Sequence, residues 1–170
     1  MKLQSFERTD RFKFFPLQLA HAVLLHRWLQ ELHVRAFWDD GDRLYSQVKA
    51  HYFQPRSVEQ FLIFHENMPI GYIQSQVIDS KHEFGKMRAK TGETYGIDLF
   101  IGEKEFIGKG MATAILSAFI DTLREAHLNL KAVLFDPSEN NPRAIHVFVK
   151  LGAKPIATHA EKVILILEIK

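Results

Sequence analysis

The sequence predicts an α/β fold, α+β in some schemes, with a sheet of about seven strands flanked by about four helices. The first observation is the segment 95–123, where apolar residues recur at every second position and then, after a glycine-rich turn, at helical spacing. The second is that two helical patterns late in the chain each follow a strand pattern. The third is the element order obtained from the N-terminus onward, β-α-α-β-β-β-α-β-α-β-β.

Composition favours a single domain spanning residues 1–170 and excludes several classes of protein. The chain has 170 residues, a hydrophobic fraction of 46% and a net charge of +2. The absence of cysteine excludes disulfide frameworks, thiolate zinc sites and cysteine nucleophiles. No apolar run is long enough for a bilayer, and charges interrupt the N-terminus where a signal peptide is apolar. We therefore expect a soluble cytoplasmic protein without a nucleic-acid or membrane partner.

The first half of the chain contains three strand patterns and two helical ones. The helical pattern of the first helix places five residues on one face, Leu24, Leu25, Trp28, Leu29 and Leu32. Asp42 is a candidate N-cap of the second helix. In chain order the predicted elements are a strand at Arg11–Phe15 ended by Pro16, helices at Leu17–Leu32 and Arg43–Tyr52, and strands at Gln60–His65 and Ile70–Ile78 around a turn at 66–69.

The polar segment Asp79–Gly92 contains four basic residues, Lys81, Lys86, Arg88 and Lys90. We interpret it as a mobile, solvated excursion between strands. A basic arm over an anionic ligand is the functional alternative.

The second half alternates strands with helices. A strand through Tyr95–Ile101 precedes the glycine turn and a helix from Met111 to about His127. The remaining predicted elements are a strand at Lys131–Phe135, a turn at 136–138, a helix at Asn141–Leu151 ended by Gly152, and strands at Lys154–Ala157 and Val163–Ile169.

The turn Gly108-Lys109-Gly110 directly precedes a helix N-terminus, where unpaired N–H groups and the helix dipole favour an anion. A plain tight turn is the structural alternative. A P-loop is excluded because five residues separate Gly102 from Gly108 and because Gly110 replaces the required Ser or Thr. A dinucleotide-binding fingerprint, G-x-G-x-x-G, is excluded because Thr113 stands where its third glycine is required.

The segment FIGEKEFIGKGMA resembles the pyrophosphate loop of the GCN5-related N-acetyltransferases, Gln/Arg-x-x-Gly-x-Gly/Ala, except that Glu105 stands at its first position. Residues 135–153 resemble the second signature of that family through Asn141, Ala144, Phe148, Lys150 and Gly152. This resemblance implies a mixed, mostly antiparallel sheet.

Within the family, the chain is most similar to the aminoglycoside 6′-N-acetyltransferases. The shared features are PIGYIQS at 69–75, GID at 96–98, GKGMA at 108–112, DPS at 136–138 and NPRAI at 141–145. A neighbouring group, the siderophore acyltransferases, shares the FDP-x-x-x-N pattern but is expected to have His in place of Asp98, so we rank it second.

The resemblance implies transfer of acetyl from acetyl-CoA, as co-substrate, to an amine. The diphosphate is expected on the N–H groups of Ile107, Gly108, Lys109, Gly110, Met111 and Ala112. The pantetheine arm is expected along Leu99–Gly102, which includes Phe100 and Ile101, with an N–H near Phe100 facing the thioester oxygen. Asn141 is expected to contact the pantetheine or phosphate side.

The acceptor amine must lose a proton before it attacks, and Asp98 is the candidate catalytic residue that orients it and accepts the proton. Its structural alternative is an outward-facing position on the polar side of the strand. Asp136 is a second candidate substrate ligand, or else a turn residue. Trp38, followed by Asp39, Asp40 and Asp42, is a candidate aromatic wall for a cationic substrate, although a core role is almost as good an explanation.

One departure from the family concerns the leaving thiolate. Many members have a Tyr where this chain has Phe148, which has no proton to donate. Water, another residue such as Tyr95, or loss of activity are the alternatives, and the last makes a non-catalytic acyl-CoA-binding module a rival hypothesis. A protein amine as acceptor is a third. The nine histidines show no helical metal spacing, so we expect no metal; a monomer and a homodimer both remain open.

Overall fold

A computed structural model describes residues 11–170 of the chain. The first ten residues, where charges oppose a signal peptide, lie outside the described residues. The chain divides into two compact units. In the described part, the first unit contains residues 11–74 and Leu99–Met111, and the second contains Ser75–Asp98 and Ala112–Lys170.

Residues 11–170 contain seven strands and five α-helices, joined in places by short 3₁₀ turns. Their bounds are β1 Phe12–Pro16, α1 Ala22–Gln30, α2 Leu32–Arg35, α3 Tyr45–Tyr52, β2 Glu59–His65, β3 Met68–Val77, β4 Glu93–Ile101, α4 Met111–Ala126, β5 Leu130–Phe135, α5 Pro142–Leu151, β6 Lys154–His159 and β7 Lys162–Glu168.

The strands form one sheet in the order β1-β2-β3-β4-β5-β7-β6. β4 and β5 are parallel, whereas β1/β2, β5/β7 and β6/β7 are antiparallel. α4 connects the parallel pair, as a parallel connection requires. The mixed seven-stranded sheet confirms the predicted fold class.

The core of the first unit lies between the helices α1 and α3 and the strands. Leu25, Trp28, Val48, Leu62 and Tyr72 are almost wholly inaccessible to solvent. Each of the aliphatic side chains among them contributes about 1.5–3 kcal/mol by leaving water. The predicted period of three to four residues in α1 is therefore what positions Trp28 in this core.

The prediction of one continuous helix at 17–32 is wrong. Glu31 is extended (φ −66°, ψ 133°) and separates α1 from α2. Its carboxylate pairs with Lys104 at 2.8 Å, while His33, just beyond the break, donates from Nε2 to the carbonyl of Ile101 at 2.9 Å. The break thus allows α2 to contact the end of β4.

The predicted cap of α3 is also wrong. The helix begins at Tyr45, and the side-chain oxygen of Gln47 accepts from the backbone N–H groups of Arg43 and Leu44. Asp42 is buried and instead pairs with His51.

The turn between β2 and β3 is shorter than predicted. Glu66 and Asn67 both have positive φ, 49° and 66°, which is the backbone of a two-residue type I′ hairpin. Pro69 lies inside β3. Ala160 and Glu161, with φ of 46° and 62°, form the same kind of turn between β6 and β7.

The segment 79–92 is folded onto its own unit, so its prediction as a solvated excursion is wrong. Phe84 is buried in a cluster with Ile78, Leu134 and Ile164. The burial of Phe84 could not be predicted from the sequence, because a single aromatic residue among polar ones gives no periodic signal.

Candidate active site

The relative positions of Asp98 and Asp136 follow from the pairing of the parallel strands β4 and β5. Gly96 lies opposite Leu134 in the register. Two residues further along, the same register brings Asp98 to the level of Asp136, on the same face of the sheet. This register brings the two candidate carboxylates next to each other at the carboxyl ends of two adjacent parallel strands.

Lys162 completes a row of charges across three strands. It is the first residue of β7 and bridges to Ser138, two residues after Asp136. Its Nζ donates to the carboxylate of Asp136 at 2.5 Å. The side chain of Lys162 is 44% exposed and that of Asp136 is 20% exposed, so the pair lies at the boundary between core and solvent.

The charge state of Lys162 reflects its acidic neighbours. Burial acts to lower its pKa, but the hydrogen bond to Asp136 acts in the opposite direction. The negative charges of Asp136, Asp98 and Glu83 add to that effect, and the net result is a pKa above the ordinary value of 10.5. Lys162 is therefore a stable ammonium held by carboxylates.

Glu83 reaches this region from the packed segment 79–92. Its neighbour Phe84 is buried and makes an edge contact with the ring of His159 at 5.8 Å. Glu83 Oε2 also lies 3.6 Å from His159 Nε2. We call Asp98, Asp136, Glu83 and Lys162 the carboxylate–lysine cluster.

Tyr95 does not belong to this cluster. Side chains alternate along a strand, so Tyr95 and Asp98, three positions apart, face opposite sides of the sheet. Tyr95 is buried, and its hydroxyl lies 3.1 Å from Nδ1 of His127. Its suggested role as the acid for the leaving thiolate therefore has no support in the geometry of this unit.

The glycine turn has the geometry of an anion site. Gly108 and Gly110 have φ of 75° and 70°, a backbone region that L-residues adopt only at a cost. In the described part of the chain, the N–H groups of Gly108, Lys109 and Gly110 donate no backbone hydrogen bond. Because α4 begins at Met111, its first N–H groups also lack partners within the helix. This arrangement fits a diphosphate.

The structure shortens the predicted cradle at its start. The N–H of Ile107 donates to the carbonyl of Lys104 at 3.1 Å, so the available N–H groups begin at Gly108. The side chain of Lys109 lies over the ring of Phe106, with Nζ 5.7 Å from the ring centroid. Glu105, at the position of the family's Gln or Arg, is exposed in the short 3₁₀ turn.

The end of β4 is partly occupied by contacts within its own unit. The carbonyl of Ile101 accepts from His33, and the N–H of Gly102 donates to Ile70 at 2.8 Å. Phe100 is buried and stacks on Tyr72. Two of the polar backbone groups predicted to pair with a pantetheine arm therefore already have partners.

Asn141 and Phe148 have clear structural roles. The side-chain oxygen of Asn141 caps α5 by accepting from the N–H of Ala144 at 3.2 Å. Phe148 is 7% exposed and stacks on Phe135, with ring centroids 4.2 Å apart and planes at 14°. These contacts explain both residues without a ligand, so the predicted ligand role of Asn141 stays a prediction.

Trp38 is a member of an aromatic cluster in the first unit. Its ring lies 5.1 Å from that of Phe100 and 5.7 Å from that of Tyr72, both edge-on. Its Nε1 donates to the hydroxyl of Tyr52 at 2.9 Å, and that hydroxyl donates to Asp40 at 2.6 Å. Burial and this hydrogen bond to Asp40 raise the pKa of Tyr52. Trp38 is half-buried, so it packs on the core and retains an accessible part.

The three aspartates after Trp38 differ in their environments. Asp39 forms a bidentate pair with Arg43 at 2.8 and 2.9 Å, which lowers the pKa of Asp39 to about 2. Burial raises the pKa of Asp42, against the opposing effect of His51 at 2.9 Å. Possible ligand atoms of Asp40, Asp42 and His51 lie within 4.8 Å of one another. A hydrogen bond joins Asp42 to His51, and Asp40 accepts from Tyr52 instead. The absence of a metal stays a prediction.

Sequence reasoning missed Glu83, Lys162 and His159. Lys162 is brought to Asp136 by the β5/β7 register, which depends on the tight β6/β7 turn. Glu83 depends on the burial of Phe84. The one local signal was a charged residue next to an aromatic anchor, which is too common in sequences to be informative.

Comparisons with known proteins agree with this fold. A family model described as an acetyltransferase (GNAT) domain matches residues 18–160. The chain is 26% identical over 137 residues to an aminoglycoside N(6′)-acetyltransferase type 1 of Klebsiella pneumoniae, with 76% of this chain and 67% of the relative covered.

Among solved structures, the chain resembles an uncharacterized protein of Bacillus halodurans, with a TM-score of 0.87 and 21% identity over 99% of this chain and 92% of that one. It also resembles AAC(6′)-Ib in complex with ribostamycin and coenzyme A, with a TM-score of 0.82 and 23% identity over 94% of both chains. At these identities the two structures show a shared fold.

Proposed function

Because the chain belongs to the GNAT acetyltransferase family, we propose that it transfers the acetyl group of acetyl-CoA directly to an amine of a small cationic acceptor, with aminoglycosides as the leading class. The curated relative of Klebsiella pneumoniae is named for such an activity, and this supports the choice of class. The family model matches residues of both units, which supports treating residues 1–170 as one catalytic domain.

The observation that carries the proposal is the hydrogen bond between Lys162 and Asp136, together with the nearby negative charge of Asp98. A primary ammonium is the group that a cationic acceptor presents at neutral pH. The carboxylate–lysine cluster already holds one such group with a stabilised charge. The cluster contains three carboxylates and one lysine, so it keeps a negative field that attracts a further ammonium.

Asp98 is the proposed catalytic residue. The amine attacks the thioester carbonyl only as a free base, so a carboxylate must orient the ammonium and accept its proton, directly or through water. A C–N bond then forms and the C–S bond breaks, with CoA leaving as a thiolate that takes a proton from water. Asp136 and Trp38 are proposed to bind other parts of the acceptor.

Acetyl-CoA supplies the activated acetyl group when bound. The N–H groups of Gly108, Lys109, Gly110, Met111 and Ala112 are proposed to bind its diphosphate, supported by the positive φ of both glycines. Phe100 and Ile101 are retained as proposed contacts of the pantetheine arm, and Asn141 as a contact of the pantetheine or phosphate side. Ile107 stays a proposed contact of the diphosphate, although its N–H donates to the carbonyl of Lys104. The contacts of Ile101 and Asn141 with His33 and Ala144 make those two the weaker members of the set.

The test is a free-thiol release assay with acetyl-CoA and a panel of aminoglycosides, polyamines and lysine derivatives. We expect turnover with an aminoglycoside and a loss of about 100-fold or more in kcat/KM in Asp98→Asn. Asp121→Asn is a matched control, because Asp121 lies on α4 in a partly exposed pair with Arg124 at 3.7 Å. Equal turnover in Asp98→Asn and the control would contradict the catalytic role of Asp98.

A second candidate, a non-catalytic acyl-CoA-binding module, is favoured by one observation. Phe148 stacks on Phe135 and has no hydroxyl to protonate a thiolate. This candidate predicts that acetyl-CoA raises the melting temperature while no amine is acetylated. Turnover with a hydroxylamine or a peptide lysine alone would instead favour a siderophore-type or protein-amine acceptor.

The setting of this activity is proposed as the cytoplasm, with a monomer or homodimer as the working form. In residues 11–170, no helix combines the length and apolarity that crossing a bilayer requires.

A further inference from the structure

The ammonium of Lys162 binds the carboxylate of Asp136 as the ammonium of a substrate would. Its ammonium donates to Asp136 at 2.5 Å from the first position of β7, directly after the turn formed by Ala160 and Glu161. A two-residue turn leaves little freedom at the base of a hairpin, so the start of the Lys162 side chain is fixed by the backbone. The pair is therefore built into the fold.

The charge balance of the carboxylate–lysine cluster follows from its members. Asp98, Asp136 and Glu83 contribute three negative charges, and the positive charge of Lys162 balances one of them. Without Lys162, the region would attract an acceptor with several ammonium groups more strongly, because each additional positive charge would find a larger negative field. With Lys162, the second and third ammonium groups of a polycation meet a like charge near Asp136.

We propose that Lys162 is a specificity-determining residue that occupies Asp136 and disfavours polycationic acceptors relative to acceptors with one ammonium. This inference rests on the proposed function only in taking the cluster as the place where the acceptor binds. In the protein without acceptor, Asp136 is paired with Lys162. A polycation gains Asp136 only by displacing the lysine, whose side chain is exposed enough to move toward solvent.

The inference narrows the acceptor class. A heavily charged aminoglycoside or polyamine competes with Lys162, whereas a monoamine needs one carboxylate and leaves Lys162 undisturbed. Specificity of this kind comes from a repulsive group inside the protein as much as from attractive contacts. Among the cationic acceptors of the proposed function, aminoglycosides included, the expected preference is therefore for those with the fewest ammonium groups.

The test compares n-butylamine, putrescine and spermidine, which present one, two and three ammonium groups on similar chains. For the full chain with acetyl-CoA, we expect the ratio of kcat/KM for spermidine over n-butylamine to rise about tenfold in Lys162→Met. Lys162→Gln, which differs in shape and is also neutral, should show the same rise. Lys162→Arg is the matched control and should keep the wild-type ratio, because it retains the positive charge.

Binding is measured beside turnover so that the two proposals can fail separately. We expect the Kd for spermidine, measured by calorimetry, to tighten about tenfold in both neutral variants and to stay unchanged in Lys162→Arg. A tighter Kd without acetylation of any amine would sink the proposed function and leave the role of Lys162 intact. Unchanged Kd values and ratios in both neutral variants would overturn the role of Lys162, whether or not the protein acetylates amines.

Discussion

The indole ring of Trp28 occupies the space in which a side chain at Gly102 would lie. A Cβ atom added at Gly102 would be 2.2 Å from Cγ of Trp28, closer than any real contact. The next residue, Glu103, accepts hydrogen bonds from Nε1 of Trp28 at 2.8 Å and from the guanidinium of Arg27. The indole therefore fixes the point at which β4 ends and the loop toward Gly108 begins.

The first prediction concerns this contact. Gly102→Ala should lower the free energy of unfolding by about 1–3 kcal/mol, because the ring and the backbone must separate. Chemical denaturation measures the change. In Trp28→Phe the smaller ring leaves part of that space, so the alanine should cost less there than in the wild type. An equal cost in both backgrounds would mean that Trp28 is not what excludes a side chain at residue 102.

The second prediction separates backbone strain from cofactor binding at the glycine turn. Gly108→Ala should cost about 1–2 kcal/mol of stability, because its φ is 75°. It should also weaken the binding of coenzyme A about tenfold, since a strained turn no longer aims its N–H groups at one anion. Calorimetry gives the affinity.

Gly41→Ala is the control for that variant. Gly41 has a φ of 76° and, like Gly108, nothing within 4 Å of an added Cβ. The two substitutions should therefore cost similar stability, and only Gly108→Ala should weaken coenzyme A binding. Equal affinities of the two variants for coenzyme A would mean that this turn does not bind the diphosphate.

These residues show what the sequence predicts well and what it leaves out. The strand, turn and helix from Tyr95 onward follow from local periodicity and from two glycines, so these elements and the positive φ of both glycines were predictable. Lys162 and Glu83 reach Asp136 and Asp98 through strand register and through one buried aromatic anchor, Phe84. Both depend on contacts between distant positions, which no local pattern encodes. The break at Glu31 was missed for the same reason, because its partner Lys104 lies 73 positions away in the chain.

The third prediction tests Tyr95 as a source of the proton for the leaving thiolate. Tyr95→Phe should leave kcat unchanged, because its hydroxyl pairs with His127 and faces away from Asp98. It should lower the free energy of unfolding by about 1 kcal/mol through the lost hydrogen bond. Thiol-release kinetics and denaturation check the two halves. A large loss of kcat with unchanged stability would restore Tyr95 as the acid.

The fourth prediction addresses Phe148, which stands where many family members have Tyr. Its ring is held parallel to Phe135 at 4.2 Å, so a hydroxyl added at Cζ in Phe148→Tyr should point in a defined direction. If that hydroxyl reaches the thiolate, kcat should rise by roughly tenfold, less than the usual effect of acid catalysis because a thiolate leaves readily. Phe148→Leu is the control, since it removes the ring without adding a donor and should lower stability without raising kcat. A Tyr variant that is stable, binds coenzyme A normally and shows no gain in kcat would mean that thiolate protonation does not limit the reaction, and that water suffices in the wild-type protein.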